Sequence, residues 1–529
     1  MSLRSLSLTV ALGLTACVAL AASGPGSSRL WPSGIGKQHS KHARPDLPDL
    51  PDLPDFSWAG FRAGEDPPHP KATANVRDFG ARGDGESDDT TAFQRALDNA
   101  PAGAVLVPRG RYRLDGKLTV TRSGMILRGE GSRLDETVLQ FRSSLADQQA
   151  VSELPETNKL SWSGGLIQVT PKGAGERQLT EVVADAERGA RRLRVADAGG
   201  VRAGDILFLR LSEDNQRSLE RHLLGGVDAP NASSERLKSS CAARVLDWTF
   251  QVAGLDGSHV LLSQPLRTDV RHTWTPSVWR MPVVQDVGIE HLAISFPSTP
   301  YPGHHRERGF NAIDFTQNVV NAWVSDLQIH NCDSGVFVGR RSKWITISGL
   351  RLMSARPSDP KGNQGHHGIA LSGCSDVLAT NLDFDAEFIH EMTITHRAMG
   401  NVFSGPVRGK SLDLDHHRDA PFENLFQNLS GNIRLQDSGS ACYGPPSGVR
   451  NSYWGLTPFS LPNWLGNQAI VVGRLNGASR EQCGPAAWVE NVPDLAPIDL
   501  RSAQRLRRLE GHNCDNSATS RRDSTPTSM

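Results

Sequence analysis

The densest group of ionisable side chains in the sequence lies between His366 and Arg418. Imidazoles and carboxylates transfer protons near neutral pH, and cations stabilise negative charge that develops during a reaction. No other window of similar length combines these groups so closely within strand-like sequence. The segment therefore predicts acid–base chemistry assisted by positive charge. Its candidate residues are His366, His367, Asp383, Asp385, Glu387, His390, Glu391, His396, Arg397, Arg408, Lys410, Asp413, Asp415, His416, His417 and Arg418.

Alternation along two short stretches predicts which of these side chains share an outer face, because successive side chains of a strand point to opposite faces. In residues 392–397, an inward Ile394 leaves outside Thr393, Thr395 and Arg397. In residues 412–417, inward leucines leave outside Asp413, Asp415 and His417.

The stacking of these two stretches decides which residues become neighbours. Placing Ile394 over Leu414 would put Thr395 on Asp415. A slip of one residue would instead turn His396 outward, because side chains change faces with every residue.

Short strands recur after Asp286 without an intervening helix, over residues 324–329, 345–350, 377–382, 402–403 and 425–429. Leu327 and Leu350 are 23 residues apart, and so are Asn401 and Asn424. A period of 20–25 residues with Asn and Gly at the corners indicates a β-solenoid. A β-sandwich is the alternative, but it would show hairpins with tighter turn signals. In a solenoid, side chains one period apart stack about 4.8 Å from each other, so one site can draw on distant positions.

Composition excludes several classes of protein. The 529 residues carry 57 basic and 57 acidic side chains, and the mean hydropathy is −0.38. A zero net charge argues against a nucleic-acid partner. The composition also excludes a disordered chain, a collagen, a coiled coil and a polytopic membrane protein.

The first residues are typical of an export signal. Arg4 precedes an apolar run from Leu6 to Ala16, and small residues follow at 19–21. We therefore expect a secreted protein with no membrane-spanning segment. Residues 14–17 resemble a bacterial lipobox, so a periplasmic protein or a lipid anchor on Cys17 is the alternative.

The pattern divides the chain into seven segments. They are a signal peptide at 1–21, a Pro-rich linker at 22–55, an N-terminal cap with the first solenoid coils at 56–177, a β-rich insertion at 178–286, the main solenoid with the active groove at 287–475, a closing segment at 476–510 and a disordered tail at 511–529.

Three stretches near the start carry a family resemblance. They read VRDFGARGDGESDDTTAFQ at 76–94, VPRGRY at 107–112 and LRGEG at 127–131. These stretches resemble the opening of pectate lyase superfamily proteins, which include pectin lyase-like and rhamnogalacturonase- and epimerase-like proteins. The motifs cover about residues 75–160, and the strand period alone extends the likeness over 287–475.

The resemblance implies an all-β fold, a right-handed parallel β-helix whose N-terminal end is capped by the early helix. It also implies enzymes that act on plant, algal or microbial polysaccharides, so we expect a polysaccharide as partner. The carboxylates Asp84, Asp88 and Asp89 belong to this motif, where they tie a turn and cap a helix. Function must therefore come from another site.

Within that class, β-elimination of a uronate needs a base for the C5 proton and cations for the substrate carboxylate. His396 or His417 would be the base. Arg397, Lys410 or Arg418 would neutralise the carboxylate, directly or beside a Ca²⁺ ion. That ion would be held by Asp413 and Asp415, which offer the oxygen ligands that calcium prefers. The residues expected to bind the sugar are His367, Glu387, His390, Asp413, Tyr443 and Trp454.

Glycoside hydrolysis is the first alternative, because it needs two carboxyl groups at a fixed separation. Asp383 or Asp385 would pair with Asp413 or Asp415. The polygalacturonase branch normally carries an adjacent Asp pair before a Gly-His-Gly motif, and this chain has GHHG at 365–368 without that pair. A non-catalytic carbohydrate-binding solenoid is the second alternative. Elimination is favoured, because imidazoles and cations accompany the carboxylates.

Six cysteines remain after the signal peptide, an even number that permits disulfides in an oxidising compartment. Cys442 with Cys483 is the preferred pair. The sequence leaves the sugar, the bond cleaved and the oligomeric state open.

Overall fold

The structure is a computed structural model that describes residues 26–31, 52–151, 155, 157–173, 175–228, 245–456, 461–462, 464–475 and 487–520, with side chains to residue 510. The predicted signal peptide, Cys17 and Cys483 lie outside the described residues. Cys332 and Cys374 are buried free thiols. Among the described helices, none combines the length and the apolar character needed to cross a membrane.

Two parallel sheets run side by side along the molecule, and the chain alternates between them. The strands of the larger sheet are Ala72–Asn75, Asp84–Asp88, Gly103–Val107, Gly110–Leu114, Met125–Gly129, Thr137–Phe141, Val284–Gln285, Gly288–Ser295, Val319–His330, Lys343–Met353, Leu378–Phe384, Val402–Gly409, Leu425–Gln427, Ser452–Trp454, Ile470–Gly473 and Trp488–Asn491. The strands of the smaller sheet are Leu118–Val120, Ile167–Val169, Asn311–Phe315, Ser334–Val338, Gly365–Ser372, Phe388–Thr395, Leu412–His416 and Ile433–Gln436. This is the predicted right-handed parallel β-helix.

The interior is filled by rows of apolar side chains that stack from coil to coil. In the smaller sheet, one such row consists of Ile313, Val336, Ile369, Met392 and Leu414. Because each coil must bury the same face, the side chains between these residues point outward in matching rows.

A ladder of buried asparagines holds one corner of the helix. Asn401 Nδ2 donates to Asn424 Oδ1 at 2.9 Å, and Asn424 Nδ2 donates to Asn451 Oδ1 at 3.0 Å. Asn401 Oδ1 in turn accepts from the backbone N–H of Val377 at 3.0 Å. Buried amides must be paired, so the ladder fixes the alignment of successive coils.

The N-terminal end is closed as the motif predicts, by helix Thr90–Asn99, which buries Phe93 and Leu97 against the first coils. The other α-helices in the described part of the chain are Phe61–Gly64, Leu145–Gln148, Ser218–Leu223 and Leu500–Ser520. Asp89 ties the preceding turn by accepting from the backbone N–H groups of Arg82 and Gly83.

The β-rich insertion is a six-stranded antiparallel sheet, Arg177–Glu181, Arg192–Arg194, Ile206–Ser212, Val245–Asp256, His259–Leu262 and Ser277–Arg280. A buried ion network docks it on the solenoid. Asp376 of the solenoid accepts from Arg267 of the insertion and from Lys343, and all three side chains are buried. Burial lowers the pKa of Lys343 to about 8, although Asp376 opposes the shift.

The prediction of a Pro-rich spacer over 22–55 is wrong for its described parts. Leu30 and Leu53 are buried in an apolar cluster with Phe56 on the outer face of the larger sheet. The prediction of a disordered tail from residue 511 is also wrong at its start, because helix Leu500–Ser520 continues across it. Leu30 and Leu53 cover apolar side chains of the sheet, such as Val402 and Leu425, which the Pro-rich composition of the segment does not predict.

Residues 53–61 pack against the terminal helix, and we call this contact the terminal clasp. Phe56 N donates to Gln504 Oε1 at 2.8 Å, and Gln504 Nε2 donates to the carbonyl of Pro54 at 2.9 Å. The guanidinium carbon of Arg508 lies 3.9 Å from the ring centroid of Trp58.

Candidate active site

The outer face of the smaller sheet carries the candidate site. One outward row along it consists of Asp314, Phe337, Ala370, Thr393, Asp415 and Gln436. Strand pairing places Thr393 directly beside Asp415, and His367 directly beside His390. Side chains from positions 22–26 residues apart therefore meet, as the solenoid geometry requires.

Asp415 and His417 form the centre of the site. His417 Nδ1 lies 2.9 Å from Asp415 Oδ2, and the hydroxyl of Thr393 donates to the same oxygen at 3.2 Å. Ser438 donates to the other oxygen of Asp415. The Asp415 side chain is fully buried, whereas that of His417 is 29% exposed. The pair therefore presents one accessible imidazole oriented by a buried carboxylate.

The charge state of Asp415 follows from its neighbours. Burial opposes ionisation, but His390 and the hydrogen bonds from His417 and Ser438 lower the pKa of Asp415 to about 2. Asp415 is therefore an anion at neutral pH. An anion that accepts from Nδ1 leaves Nε2 of His417 as the nitrogen that can take a proton.

His390 and His367 line the same face. His390 Nδ1 lies 3.4 Å from Asp415 Oδ2 and 3.2 Å from Gln436 Oε1. His367 Nδ1 lies 3.1 Å from the hydroxyl of Thr393. Burial lowers the pKa of both imidazoles, that of His390 to about 4, so both are neutral at pH 7.

A loop over residues 297–310 adds side chains that the sequence analysis did not place in the site. Glu307 is buried, and its Oε1 atom lies 3.1 Å from Nδ1 of His366. Tyr301 and Ser161 both donate to the carboxylate of Glu307. The ring of His304 lies 4.7 Å from that of His366 between centroids. The adjacent histidines His304 and His305 are the sequence signal that points to this loop.

A calcium ion between Asp413 and Asp415 does not fit the residues present. Arg434 donates to both oxygens of Asp413, at 2.5 and 2.7 Å, and Gln436 Nε2 donates to one of them at 2.6 Å. Both oxygens of Asp415 also accept hydrogen bonds from protein groups. Calcium needs six to eight oxygen ligands, whereas every oxygen of these two carboxylates already accepts a hydrogen bond and the guanidinium of Arg434 neutralises Asp413. Asp413 is therefore held by Arg434 rather than directed toward a ligand.

The predicted stacking of strands is off by two residues. Met392, not Ile394, pairs with Leu414, and Thr393, not Thr395, pairs with Asp415. A shift of two residues keeps every side chain on its face, so alternation could not detect it. The hydroxyl of Thr395 instead donates to the carbonyl of His417 at 2.7 Å.

Arg397 is not in the groove. It follows its strand with a left-handed backbone (φ 59°), is 3% exposed and pairs with Asp419 at 3.4 Å. It therefore cannot reach a substrate carboxylate, and its predicted role is wrong. His396 is exposed beside it, with Nδ1 3.0 Å from the hydroxyl of Thr395 and the ring 5.3 Å from that of half-buried Tyr443.

Trp454 cannot stack on a sugar, because it is fully buried and its indole donates to the carbonyl of Pro497 at 2.7 Å. The prediction that it binds substrate is wrong. Lys410 lies just before strand Leu412–His416, at the end opposite to His417. Its side chain is 74% exposed and forms an ion pair with Glu387 at 3.3 Å. These two residues lie at the edge of the site rather than beside His417.

Arg418 lies beside the accessible imidazole. Its guanidinium donates to the carbonyl of Asp437 at 3.1 Å, and its side chain is 20% exposed. A Cβ atom added at Gly439 would lie 3.0 Å from His417 Nε2 and 3.3 Å from Cγ of Arg418. His417, Arg418 and Gly439 therefore share one small area of the groove.

The carboxylates proposed for hydrolysis are not brought together. Asp383 lies on strand Leu378–Phe384 of the larger sheet, where its side chain contacts Arg351 at 3.2 Å. In the strand register it lies beside Arg408. Asp385 is exposed just beyond that strand. Asp413 and Asp415 belong to the smaller sheet, so none of the four pairings of the hydrolase alternative is formed.

Comparison with known proteins identifies relatives for the opening of the chain. Residues 73–186 match a family model described as rhamnogalacturonase A/epimerase, pectate lyase-like. Alginate lyase 7 of Azotobacter vinelandii is 40% identical over 74 residues, which are 13% of this chain and 9% of that protein. Mannuronan C5-epimerase AlgE3 of the same bacterium is 46% identical over 77 residues, 13% of this chain and 4% of that protein. The chain thus spans less than a tenth of the length of these curated relatives.

Solved structures with a similar course of the chain include the tailspike protein gp49 of Pseudomonas phage LKA1 (TM-score 0.47, 13% identity, 79% of this chain and 72% of that one). The A-module of mannuronan C-5 epimerase AlgE4 of Azotobacter vinelandii gives a TM-score of 0.34 at 12% identity, covering 79% of this chain and 96% of that one. Residues 73–186 therefore resemble pectate lyase-like proteins, and the parallel coils that continue from them give the chain the fold of a right-handed parallel β-helix.

Proposed function

We propose that the protein is an exported polysaccharide lyase that cleaves a uronate-containing polysaccharide by β-elimination, with His417 as the base. The observation that carries the proposal is the Asp415–His417 pair, in which a buried anion orients an imidazole that remains 29% exposed. The relatives of the opening segment are named for alginate lyase and mannuronan epimerase activities, which supports an acidic sugar as substrate.

The steps follow from the atoms of the pair. Nε2 of His417 takes the C5 proton of the uronate, and the electrons of the C–H bond pass into the carboxylate-stabilised carbanion. That electron pair then forms the C4–C5 double bond while the C4–O bond breaks. The proton returns, from His417 or through water, to the oxygen of the departing sugar. Asp415 stabilises the imidazolium formed between these steps.

The substrate carboxylate carries extra negative charge during this sequence, so a cation close to the base lowers the barrier. Arg418 is the cation that we propose for this role, which is supported by the closeness of its side chain and that of His417 to Gly439. The exposed ion pair of Lys410 and Glu387 lies at the end of strand Leu412–His416 opposite to His417. There it would contact a neighbouring sugar unit of the polymer.

A panel of acidic and neutral polysaccharides tests the proposal. The full-length protein is incubated with alginate, pectate, a glucuronan and a neutral glucan, while absorbance of the unsaturated uronate and reducing ends are both followed. Both signals are expected to rise together on one acidic polymer. Reducing ends without absorbance would replace the lyase by a hydrolase.

The same digests in deuterium oxide separate the remaining outcomes. Deuterium at C5 without chain cleavage would show that the base acts but that the protein is an epimerase. Binding to a polymer without cleavage or deuterium uptake would overturn the enzyme and favour a non-catalytic carbohydrate-binding solenoid.

A further inference from the structure

Three histidines from two different parts of the chain converge beside the Asp415–His417 pair. His304 comes from the loop over residues 297–310, and His366 and His390 come from adjacent strands of the smaller sheet. One nitrogen from each lies within 4.8 Å of the others. His366 and His390 are buried, whereas His304 is exposed, so the group is open to solvent on one side.

We propose that His304, His366 and His390 bind a divalent transition-metal ion of the Zn²⁺ class. Imidazole nitrogens are preferred ligands of such ions, whereas calcium and magnesium prefer oxygen. Nitrogens around one Zn²⁺ lie about 3.3 Å apart, given Zn–N bonds of about 2.0 Å in a tetrahedron. The three rings therefore have to draw closer for the ion to bind, and the exposed His304 is the member with room to move.

Nδ1 of each buried histidine lies close to a carboxylate. Nδ1 of His366 lies 3.1 Å from the carboxylate of Glu307, which is buried and also accepts from Tyr301 and Ser161. Nδ1 of His390 lies 3.4 Å from Asp415 and 3.2 Å from Gln436. Carboxylates that hold one imidazole nitrogen orient the ring and raise the basicity of the other nitrogen toward a metal. Three protein ligands with one exposed member would leave room for a water or substrate ligand, which is typical of an open rather than a purely structural site.

The position of the ion has a consequence that rests on the proposed function. His390 would bind the ion and lies 3.4 Å from Asp415, so the ion would lie one side chain away from the Asp415–His417 pair. A cation there supplies positive charge for the uronate carboxylate, which the Asp413–Asp415 pair cannot provide through calcium. Metal binding itself does not depend on this role and is measured without substrate.

Metal binding by the tag-free, full-length protein tests the proposal. The protein is stripped with a chelator, loaded with Zn²⁺ in the presence of a chromophoric competitor and analysed for bound metal. Co²⁺ is then used in place of Zn²⁺, because its absorption spectrum reports nitrogen ligands and four-coordinate geometry. Wild type is expected to bind one tight equivalent. His304→Ala, which changes an exposed side chain, is expected to weaken binding at least about 10-fold, as is His366→Gln.

Two control variants show which histidines hold the tightly bound Zn²⁺ ion. His396→Ala removes an exposed histidine of the same face and should leave binding unchanged. His69→Ala tests the other histidine-containing group, His69 with Glu290 and His291, and should also leave the tight equivalent in place. Loss of the equivalent in His69→Ala but not in His304→Ala would overturn the assignment.

Two further outcomes would also overturn it. Absence of any tight Zn²⁺ equivalent in wild type would do so directly. Loss in His417→Ala with retention in His304→Ala would move the ion to the alternative group of His390, Asp415 and His417. A protein that binds Zn²⁺ as proposed but cleaves no polysaccharide would refute the proposed function while leaving the metal site standing.

Discussion

Nδ1 of His417 lies 2.9 Å from Oδ2 of Asp415, two positions earlier on the same outer face. Strand alternation puts both side chains on one side of the sheet, and the next coil supplies Ser438 to the other carboxylate oxygen. The two residues thus form an oriented base from a three-residue stretch, and the neighbouring coils set its charge.

Removing either member of this pair should abolish turnover while leaving the fold intact. His417→Ala removes the base, and Asp415→Asn removes the anion that orients it. Because general base catalysis contributes about 10²- to 10⁴-fold, kcat is expected to fall by that factor in both variants. The measurement is the initial rate of unsaturated uronate formation, with circular dichroism as the check on folding.

His396→Ala is the matched control, because His396 is an exposed imidazole on the same face whose Nδ1 lies 3.0 Å from Thr395. Its activity should remain within a few-fold of wild type. If His396→Ala lost activity and His417→Ala kept it, the base would be His396.

A methyl group at Gly439 should block the base. Gly439 has a φ of +82°, and a Cβ atom there would lie 3.0 Å from His417 Nε2. Gly439→Ala is expected to lower kcat/KM at least about 10-fold, since the nitrogen that takes the proton loses its open approach.

Gly204→Ala separates that effect from backbone strain. Gly204 has a similar φ of +87°, but a Cβ atom there meets nothing within 4 Å. Both variants should lose about 1 kcal/mol of stability from the left-handed backbone, and only Gly439→Ala should lose activity. Equal activity in the two variants would show that Gly439 does not border the reacting atoms.

Asp314 should make the stability of the protein depend on pH. Burial raises the pKa of Asp314 from 3.8 to about 6, although a hydrogen bond from the Gly164 N–H at 3.2 Å opposes the rise. Between these pH values the unfolded chain has released a proton that the folded protein retains, so rising pH lowers the free energy of unfolding. The loss approaches about 3 kcal/mol above pH 6.

Asp314→Asn lacks this titration. Relative to wild type, its urea unfolding midpoint is expected to rise as the pH goes from 4 to 6 and to stay level above that. Asp135→Asn, at an exposed carboxylate, should follow wild type at every pH. A constant difference between Asp314→Asn and wild type would contradict the raised pKa.

The network that docks the insertion should be sensitive to the loss of one charge. Asp376→Asn leaves the buried Lys343 and Arg267 without their shared anion. Breaking a buried ion pair from one side costs about 3–5 kcal/mol, which should appear in the free energy of unfolding. Asp256→Asn is the control, because its pair with Arg192 is exposed and should change stability by less than about 0.5 kcal/mol. Equal effects would show that the network does not hold the insertion.

The repeat could be predicted from the sequence because each coil buries the same kinds of residue. Asn401 and Asn424 are 23 residues apart in the chain and hydrogen-bonded in the ladder, so their spacing records a real contact. The sequence also predicted that Asp415 and His417 point outward, because alternation depends only on which neighbouring residues are apolar.

The register could not be predicted, because Met392 and Ile394 are both apolar and either can lie over Leu414 without changing faces. The part played by Glu307 was equally hidden. It lies in a loop about 60 residues before its partner His366, and no local pattern links the two. The prediction for Trp454 was wrong because the sequence does not distinguish an aromatic side chain that stacks on a sugar from one that is buried in the protein. Trp454 is buried, and its indole donates to the carbonyl of Pro497.

The terminal clasp also determines how the molecule carries mechanical load. Phe56 and Pro54 are tied to Gln504, so segments 448 and 450 residues apart in the sequence are fastened to each other. A pull that separates these segments is therefore borne first by the two hydrogen bonds and by the stacking of Arg508 on Trp58. The strands between the two segments bear the load only after these contacts rupture.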